Sequence, residues 1–212
     1  MATRRVTEPI GIAVMAKAPR AGYAKTRLIP ALGAQAAARL HRELTLRTMA
    51  SACAADLGPI TLCCAPDTRQ RFFRALQQKY RIDLQTQPEL DLGRRMAHVF
   101  AENGEQPLLL IGTDCPALTT THLRQAARAL QSGLDAVFIT TEDGGYFLVG
   151  LRRPCPQLFA GIVWSTSRVM AQTRERLASL GLRWQEVAHL WDVDRAADVS
   201  RWHALRQAET TR

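Results

Sequence analysis

Long apolar runs are missing from this 212-residue chain. No stretch approaches the roughly 18–20 residues that cross a bilayer as a helix, so membrane insertion is not expected. Lysine is scarce: Lys17, Lys25 and Lys79 stand against 25 arginines. The five cysteines (Cys53, Cys63, Cys64, Cys115, Cys155) contain no CxxC pair and no Cys/His metal spacing. That excludes zinc modules and a disulfide framework. An odd count with two adjacent members points to reduced thiols in a cytoplasm. Aromatic residues make up only 6% of the chain, and no basic stripe carries interleaved aromatics. The net charge of +9 is therefore read as serving a phosphate-rich small ligand rather than nucleic acid. Internal repeats, low-complexity linkers and an apolar segment behind the opening MATRRVTEP are absent too, so that opening reads as a tail, not a secretory signal.

What is present is an ordinary globular composition, 47% hydrophobic and 22% charged, long enough for one domain with a full core. The stretch Gly11 to Leu32, GIAVMAKAPRAGYAKTRLIPAL, organises the rest. It reads as a buried strand that breaks at Pro19 into a loop with Gly22 at its turn. Lys17, Arg20, Lys25 and Arg27 surround that turn, a pattern that suits phosphate. Two of the three lysines sit here, where a compact ammonium is useful to a phosphate.

The remaining chain alternates. Ala34 to Ala55 is helical by pattern, and 60–66 (ITLCCAP) is a strand. Asp67 is placed to cap a helix carrying Phe72, Leu76 and Tyr80. RIDLQTQ is a third strand, and Asp91 caps a helix ending at Asn103-Gly104. The continuous apolar run 107–114 (PLLLIGTD) reads as a central parallel strand covered on both faces. Thr119 or Thr120 caps the next helix, 135–140 is a buried strand, and EDGG turns into YFLVGL. Ser165 or Thr166 is expected to cap a helix closed by Gly181. LRWQEVAHL alternates as an edge strand, and the last helix follows DVD. Such alternation predicts a doubly wound α/β sheet, mixed because of the EDGG hairpin. In these sheets ligands sit beyond the carboxyl ends of the strands. The basic loop, GTDCP, EDGGY and WDVD all fall there.

A carboxylate at the mouth of a buried strand, as at Asp114, is costly unless paired, hydrogen-bonded or metal-bound. Asp192 and Asp194 precede a helix, where Asp194 is also a natural N-cap. No His base lies near Cys115 in sequence to make it a nucleophile.

The segments IAVMAKAPRAGYAKTRLIPALG, QPELDLGRRM, LLLIGTDCPAL, EDGGYFLVGL, LFAGIVWSTSRV and WDVDRAADV, in this order, resemble a bacterial family designated as glycosyltransferases, of the arsenosugar-biosynthesis-associated type. That family is similar in turn to the nucleotide-diphospho-sugar transferase superfamily, which includes 2-phospho-lactate guanylyltransferase and molybdenum-cofactor guanylyltransferase. The resemblance implies a Rossmann-like, mostly parallel mixed sheet in a single domain spanning about 10–206, with 1–9 a frayed tail and 207–212 a frayed end. It implies a nucleotide donor and Mg²⁺ or Mn²⁺ at the phosphates. Lys25 and Arg27 inherit the phosphate loop, with Lys17 nearby, and Lys25, Asp114 and Asp143 the catalytic positions. Asp114 and Asp194 match the metal-binding positions, and Gln87 and Gly93 fall where related enzymes approach the nucleotide base. Asp143, Gly144, Gly145 and Tyr146, with Trp164, Ser165 and Thr166, fall on the acceptor side.

Two departures stand out. The glycine-rich AAGxGTR form of the first loop is replaced by AKAPRAGYAKTR, so side-chain cations must carry more of the phosphate binding. A glycosyltransferase's Asp-x-Asp is replaced by Asp114-Cys115-Pro116. The expected function is a metal-dependent transferase, foremost a glycosyltransferase acting from a nucleotide sugar on a small-molecule acceptor. The alternatives are a nucleotidyltransferase joining an NTP to a phosphorylated small molecule, and a non-catalytic nucleotide-binding protein. A homodimer stays open. Lys25→Ala and Arg27→Ala are each expected to weaken nucleotide binding with the fold intact.

Overall fold

The computed structural model describes residues 9–210. Strands β1 (Gly11–Lys17), β2 (Ile60–Ala65), β3 (Asp83–Thr86), β4 (Leu108–Ile111), β5 (Ala136–Thr141), β6 (Tyr146–Leu151) and β7 (Trp184–Leu190) form one sheet in the order β3-β2-β1-β4-β6-β5-β7. Only β6 runs antiparallel to its neighbours, as the hairpin after β5 requires. All other pairs are parallel, so the carboxyl ends of six strands share one edge. The helices are α1 (Ile29–Leu32), α2 (Ala34–Ala55), α3 (Arg71–Tyr80), α4 (Leu92–Glu102), α5 (Thr120–Gln131), α6 (Val169–Ser179) and α7 (Ala196–Thr210). The expected tail at 1–9 lies almost wholly outside the described residues, and α7 continues past residue 206.

The period-2 alternation of strand side chains sorts the core into two layers. Ile12, Val14, Leu62, Leu109, Val137 and Ile139 point to one face, under α2, α3 and α5. Ala13, Leu108, Leu110, Phe138 and Val149 point to the other, under α4 and α6. A third cluster matters more for function. Leu28 after the basic loop packs with Ala37, Leu40 and Leu44 of α2, and with Trp191, Val193, Val199 and Trp202 from the chain's end. This apolar contact, across more than 160 residues of sequence, brings the basic loop beside the last acidic segment.

Local signals were read correctly at Asp91, whose carboxylate accepts from the Arg94 amide, and at Thr119, which forms a capping box with His122. Others differ. Asp67 accepts instead from the Arg69 amide at 2.7 Å in a turn of its own, and α3 starts after Gln70 with no side-chain cap. Neither Ser165 nor Thr166 caps α6. Thr166 Oγ1 donates back to Val163 O, and Arg168 precedes the helix. In both cases the short polar side chain satisfies its own tight turn before the helix begins.

Candidate active site

A cleft of about 550 Å³ opens at the shared carboxyl ends of the strands. Its lining includes Lys17, Lys25, Arg27, Gln87, Asp114, Asp143, Gly145, Tyr146, Trp164, Ser165, Thr166 and Asp194. Residues that the sequence spreads over almost 180 positions therefore meet in one cavity. Gly93 and Gly144 stand just behind it. A Cβ on Gly93 would lie 2.7 Å from Trp164 Nε1 and 2.9 Å from Phe159 O, so this glycine makes room for the tryptophan wall. Gly144 has φ +87°, and a Cβ there would meet Ser167 O at 2.1 Å. Its carbonyl accepts from the Met170 amide, which pins the EDGG turn to the start of α6.

Lys25 is the centre of the polar end. Its side chain is only 3% exposed, and its ammonium lies 2.9 Å from Asp114 Oδ1 and 3.8 Å from Asp194 Oδ1. It also donates to Val193 O at 2.5 Å. The residue sits at φ +50°, in the left-handed region that costs a non-glycine residue roughly 1–2 kcal/mol. From that conformation the ammonium reaches both acidic segments. Arg27 Nη1 pairs with Asp194 Oδ2 at 2.5 Å. Lys25 is thus a buried hub of the site, and its removal is expected to cost the fold. The expectation of an intact fold after Lys25→Ala is corrected on this ground.

Asp194 does not cap α7. Its carboxylate oxygens are paired with Lys25 and Arg27 instead, while the amides of Asp194 and Arg195, which precede α7, donate to Asp198 Oδ2 at 3.0 and 2.6 Å. The Asp114 carboxyl would be pushed up by desolvation, but Lys25 and His41 outweigh this and hold it below the usual range. Its Oδ1 is buried, yet the side chain as a whole is 42% exposed, so the exposure falls toward the cleft. The Val193 amide donates to Asp114 O at 2.9 Å, so β4 and the segment after β7 are stitched together by backbone as well.

Two cleft residues escaped the sequence reading and a third was left out of the site. His41 of α2 places Nε2 2.9 Å from Lys17 O and Nδ1 3.7 Å from Asp114 Oδ1. The signal was an ionisable residue four positions after Ala37 on the buried face of α2. Arg95 carried no such signal beside Arg94. Asp192 was seen but not assigned. Burial raises its carboxyl pKa to about 6, with the Asp143 and Asp194 carboxylates adding to the rise. Its charged form is therefore unfavourable in the fold. The stability Asp192 contributes is fully present below about pH 4, its ordinary range, and is lost as pH rises through about 6. Asp192→Asn is expected to raise the thermal midpoint at pH 7.5 by a few degrees, for about 1–2 kcal/mol after discounting for partial exposure, and to give no gain at pH 4. Equal midpoint shifts at the two pH values would remove the crowding argument.

Cys115 is 2% exposed and burial pushes its thiol up to about 12, so it supplies no thiolate at neutral pH. Asp143 accepts through Oδ1 from Thr141 Oγ1 (2.6 Å) and the Gly145 amide (3.0 Å), which orients its carboxylate at the rim. Opposite the charged end, Met15, Leu92, Met96, Leu110, Tyr146, Val149 and Trp164 give the cleft an apolar wall. Tyr146 and Trp164 meet edge to face with ring centroids 6.4 Å apart.

The fold is shared with solved transferases. A protein from Desulfovibrio desulfuricans G20, provisionally designated a nucleotide-diphospho-sugar transferase, superposes with a TM-score of 0.77 at 28% identity, over 87% of this chain and 82% of that one. A nucleotidyl transferase from Methanothermobacter thermautotrophicus gives 0.63 at 15% identity, over 94% and 99%. Glucosyl-3-phosphoglycerate synthase from Mycobacterium tuberculosis, crystallised with Mn²⁺, uridine diphosphate and glucosyl-3-phosphoglycerate, gives 0.55 at 10% identity, over 90% and 74%. No curated protein matches by sequence. The profile of the family described as "Uncharacterized protein conserved in bacteria (DUF2064)" matches residues 48–166. That span holds Gln87, Asp114 and Asp143, while Lys25 and Asp194 lie outside it. With more than half of its length matched, the chain belongs to the DUF2064 family.

Proposed function

We propose that this chain is a metal-dependent transferase that uses a nucleotide-activated donor, acting as a glycosyltransferase from a nucleotide sugar onto a small-molecule acceptor. The observation that carries the reading is the meeting of Asp114 and Asp194 with Lys25 and Arg27 at the carboxyl edge of the sheet. Designation of the D. desulfuricans protein as a nucleotide-diphospho-sugar transferase supports it.

The donor set fits Mg²⁺ or Mn²⁺. Asp114 and Asp194 offer hard carboxylate oxygens, and one or two carboxylates plus phosphate oxygens are how such ions are commonly held. Among the described residues no three His, Cys, Asp or Glu side chains form a ready-made metal cage, so phosphate oxygens and water would complete the shell. When bound, the ion neutralises charge that develops on the departing phosphate oxygens.

The chain's own residues do the rest. Lys25 has used one donor on Val193 O and faces Asp114 with a second, leaving a third for a phosphate oxygen. Arg27 and Lys17 add charge at the rim. Asp143 orients the acceptor hydroxyl or takes its proton, and Gly145, Tyr146, Trp164, Ser165 and Thr166 wall the acceptor side.

A specific observation favours a second reading, nucleotidyl transfer from an NTP to a phosphorylated small molecule. The two metal-placed carboxylates follow different strands, with no Asp-x-Asp. Product analysis on nucleotide sugars and NTPs with Mn²⁺ decides. Nucleoside diphosphate release supports the first reading, and pyrophosphate release the second. Binding without turnover in the whole panel would leave a non-catalytic nucleotide-binding protein.

Asp143 gives a separate test. Asn keeps a carbonyl oxygen to accept from Thr141 and Gly145, so the turn survives Asp143→Asn. Turnover should fall about 100-fold or more, as for loss of an acid–base group, while the nucleotide Kd stays within about threefold. Parallel loss of both quantities would return Asp143 to a turn residue only.

A further inference from the structure

The charged end of the cleft accounts for phosphates and metal but not for the base of a nucleotide. We propose that Arg95, clamped by Gln87, is the residue that reads that base; this rests on the nucleotide-donor reading above. Gln87 is buried, at 6% exposure, and its amide is committed. Nε2 donates to Cys63 O at 2.7 Å and Ala16 O at 3.3 Å, the carbonyls near the ends of β2 and β1. Because both partners are carbonyls, the amide orientation is fixed, and Oε1 must face the other way. There it accepts from Arg95 Nη1 at 3.0 Å. Gln87 therefore has nothing left for a ligand and acts as a positioning residue.

Arg95 lines the cleft with its Nε buried and without a hydrogen-bond partner. Four carboxylates share this cavity, yet Arg95 pairs with none of them among the described residues. A guanidinium held by a neutral amide, with no ion pair among the described residues, is set to receive acceptors from a ligand. Its place separates it from the phosphate end. The clamp lies over β1 and β2, whereas Lys25 binds at the ends of β4 and β7. From β2 to β4 is two strand spacings, about 10 Å, on the order of the separation of a base from its distal phosphates. Leu92 and Met96, one turn before and one residue after Arg95, also line the cleft and offer apolar surface to a planar ring.

An arginine fork only donates, so it matches a base edge with two adjacent acceptors, such as guanine N7 and O6 or cytosine O2 and N3. Adenine alternates an acceptor with an amino donor and fits poorly. The test is titration of ADP, GDP, CDP and inorganic pyrophosphate in Mn²⁺ against the parent, Arg95→Met, Arg95→Lys and Gln87→Met, each checked for folding by its thermal midpoint. The parent should bind GDP or CDP at least 10-fold tighter than ADP. Arg95→Met and Arg95→Lys should bring that ratio within about threefold with pyrophosphate affinity unchanged. Gln87→Met should lower the ratio part of the way without touching ligand. A base preference that survives in both Arg95 variants overturns the proposal, as does equal weakening of pyrophosphate and nucleotides. If the parent binds none of the four probes, it is the nucleotide-donor reading itself that falls.

Discussion

Lys25→Met should lower the thermal midpoint in metal-free buffer by about 5–10 °C. The substitution keeps most of the aliphatic stem and removes only the ammonium. Asp114 and Asp194 would then face each other with no cation between them, and Asp114 Oδ1 is buried. Breaking a fully buried pair costs about 3–5 kcal/mol; because the carboxylates here are partly exposed, about 2–3 kcal/mol is expected. For a chain of this size each kcal/mol moves the midpoint by about 2–4 °C. Mn²⁺ should restore much of the loss in Lys25→Met and change the parent much less, since the parent already holds a cation at these carboxylates. A thermal-shift series in EDTA and Mn²⁺ measures both. An unchanged midpoint in EDTA would mean that the ammonium is not the counter-ion this geometry makes it.

The second large effect belongs to Asp114. Asp114→Asn removes a hard ligand and half of the charge around Lys25, while Lys25 keeps its bond to Val193 O. The protein should fold and lose about 100-fold or more in turnover, the scale for removal of a main transition-state stabiliser. The metal enhancement of nucleotide binding should vanish with it. Asp194→Asn should behave in the same direction, because the Asp194 carboxylate pairs with Lys25 and Arg27. Were Asp194 a cap, Asn would serve about as well and activity would persist. Turnover of either variant within about threefold of the parent would remove that residue from the chemistry.

Much of this was legible before any coordinates. The strand periods, the breaks at Pro19 and Pro66, and the uninterrupted apolar run of β4 fixed which segments end at one edge of the sheet. That placed Lys25, Asp114, Asp143 and Asp194 on one edge, and the family resemblance supplied the roles expected of them. What sequence could not supply was pairing. Lys25 reads as a free basic loop residue until Leu28, Trp191 and Val193 pack together and place it between two acids. Asp194 reads equally well as a cap until the structure shows its carboxylate paired with Lys25 and Arg27. His41 and Arg95 sit in helices whose repeats are dominated by core packing, so their polar ends were indistinguishable from ordinary solvated faces. The Asp67 and Ser165–Thr166 misreadings have one cause: a short polar side chain can satisfy either a turn or a helix, and only φ and ψ decide.

The central claim is that this cleft takes a nucleotide donor together with a divalent ion. Calorimetric titration of the parent protein with nucleotide sugars and NTPs, in Mn²⁺ and again in EDTA, measures it directly. Binding of at least one donor that is strengthened 10-fold or more by Mn²⁺, and loses that gain in Asp114→Asn, is the expected result. Donor binding of equal strength in EDTA, or no binding across the panel in Mn²⁺, would contradict it.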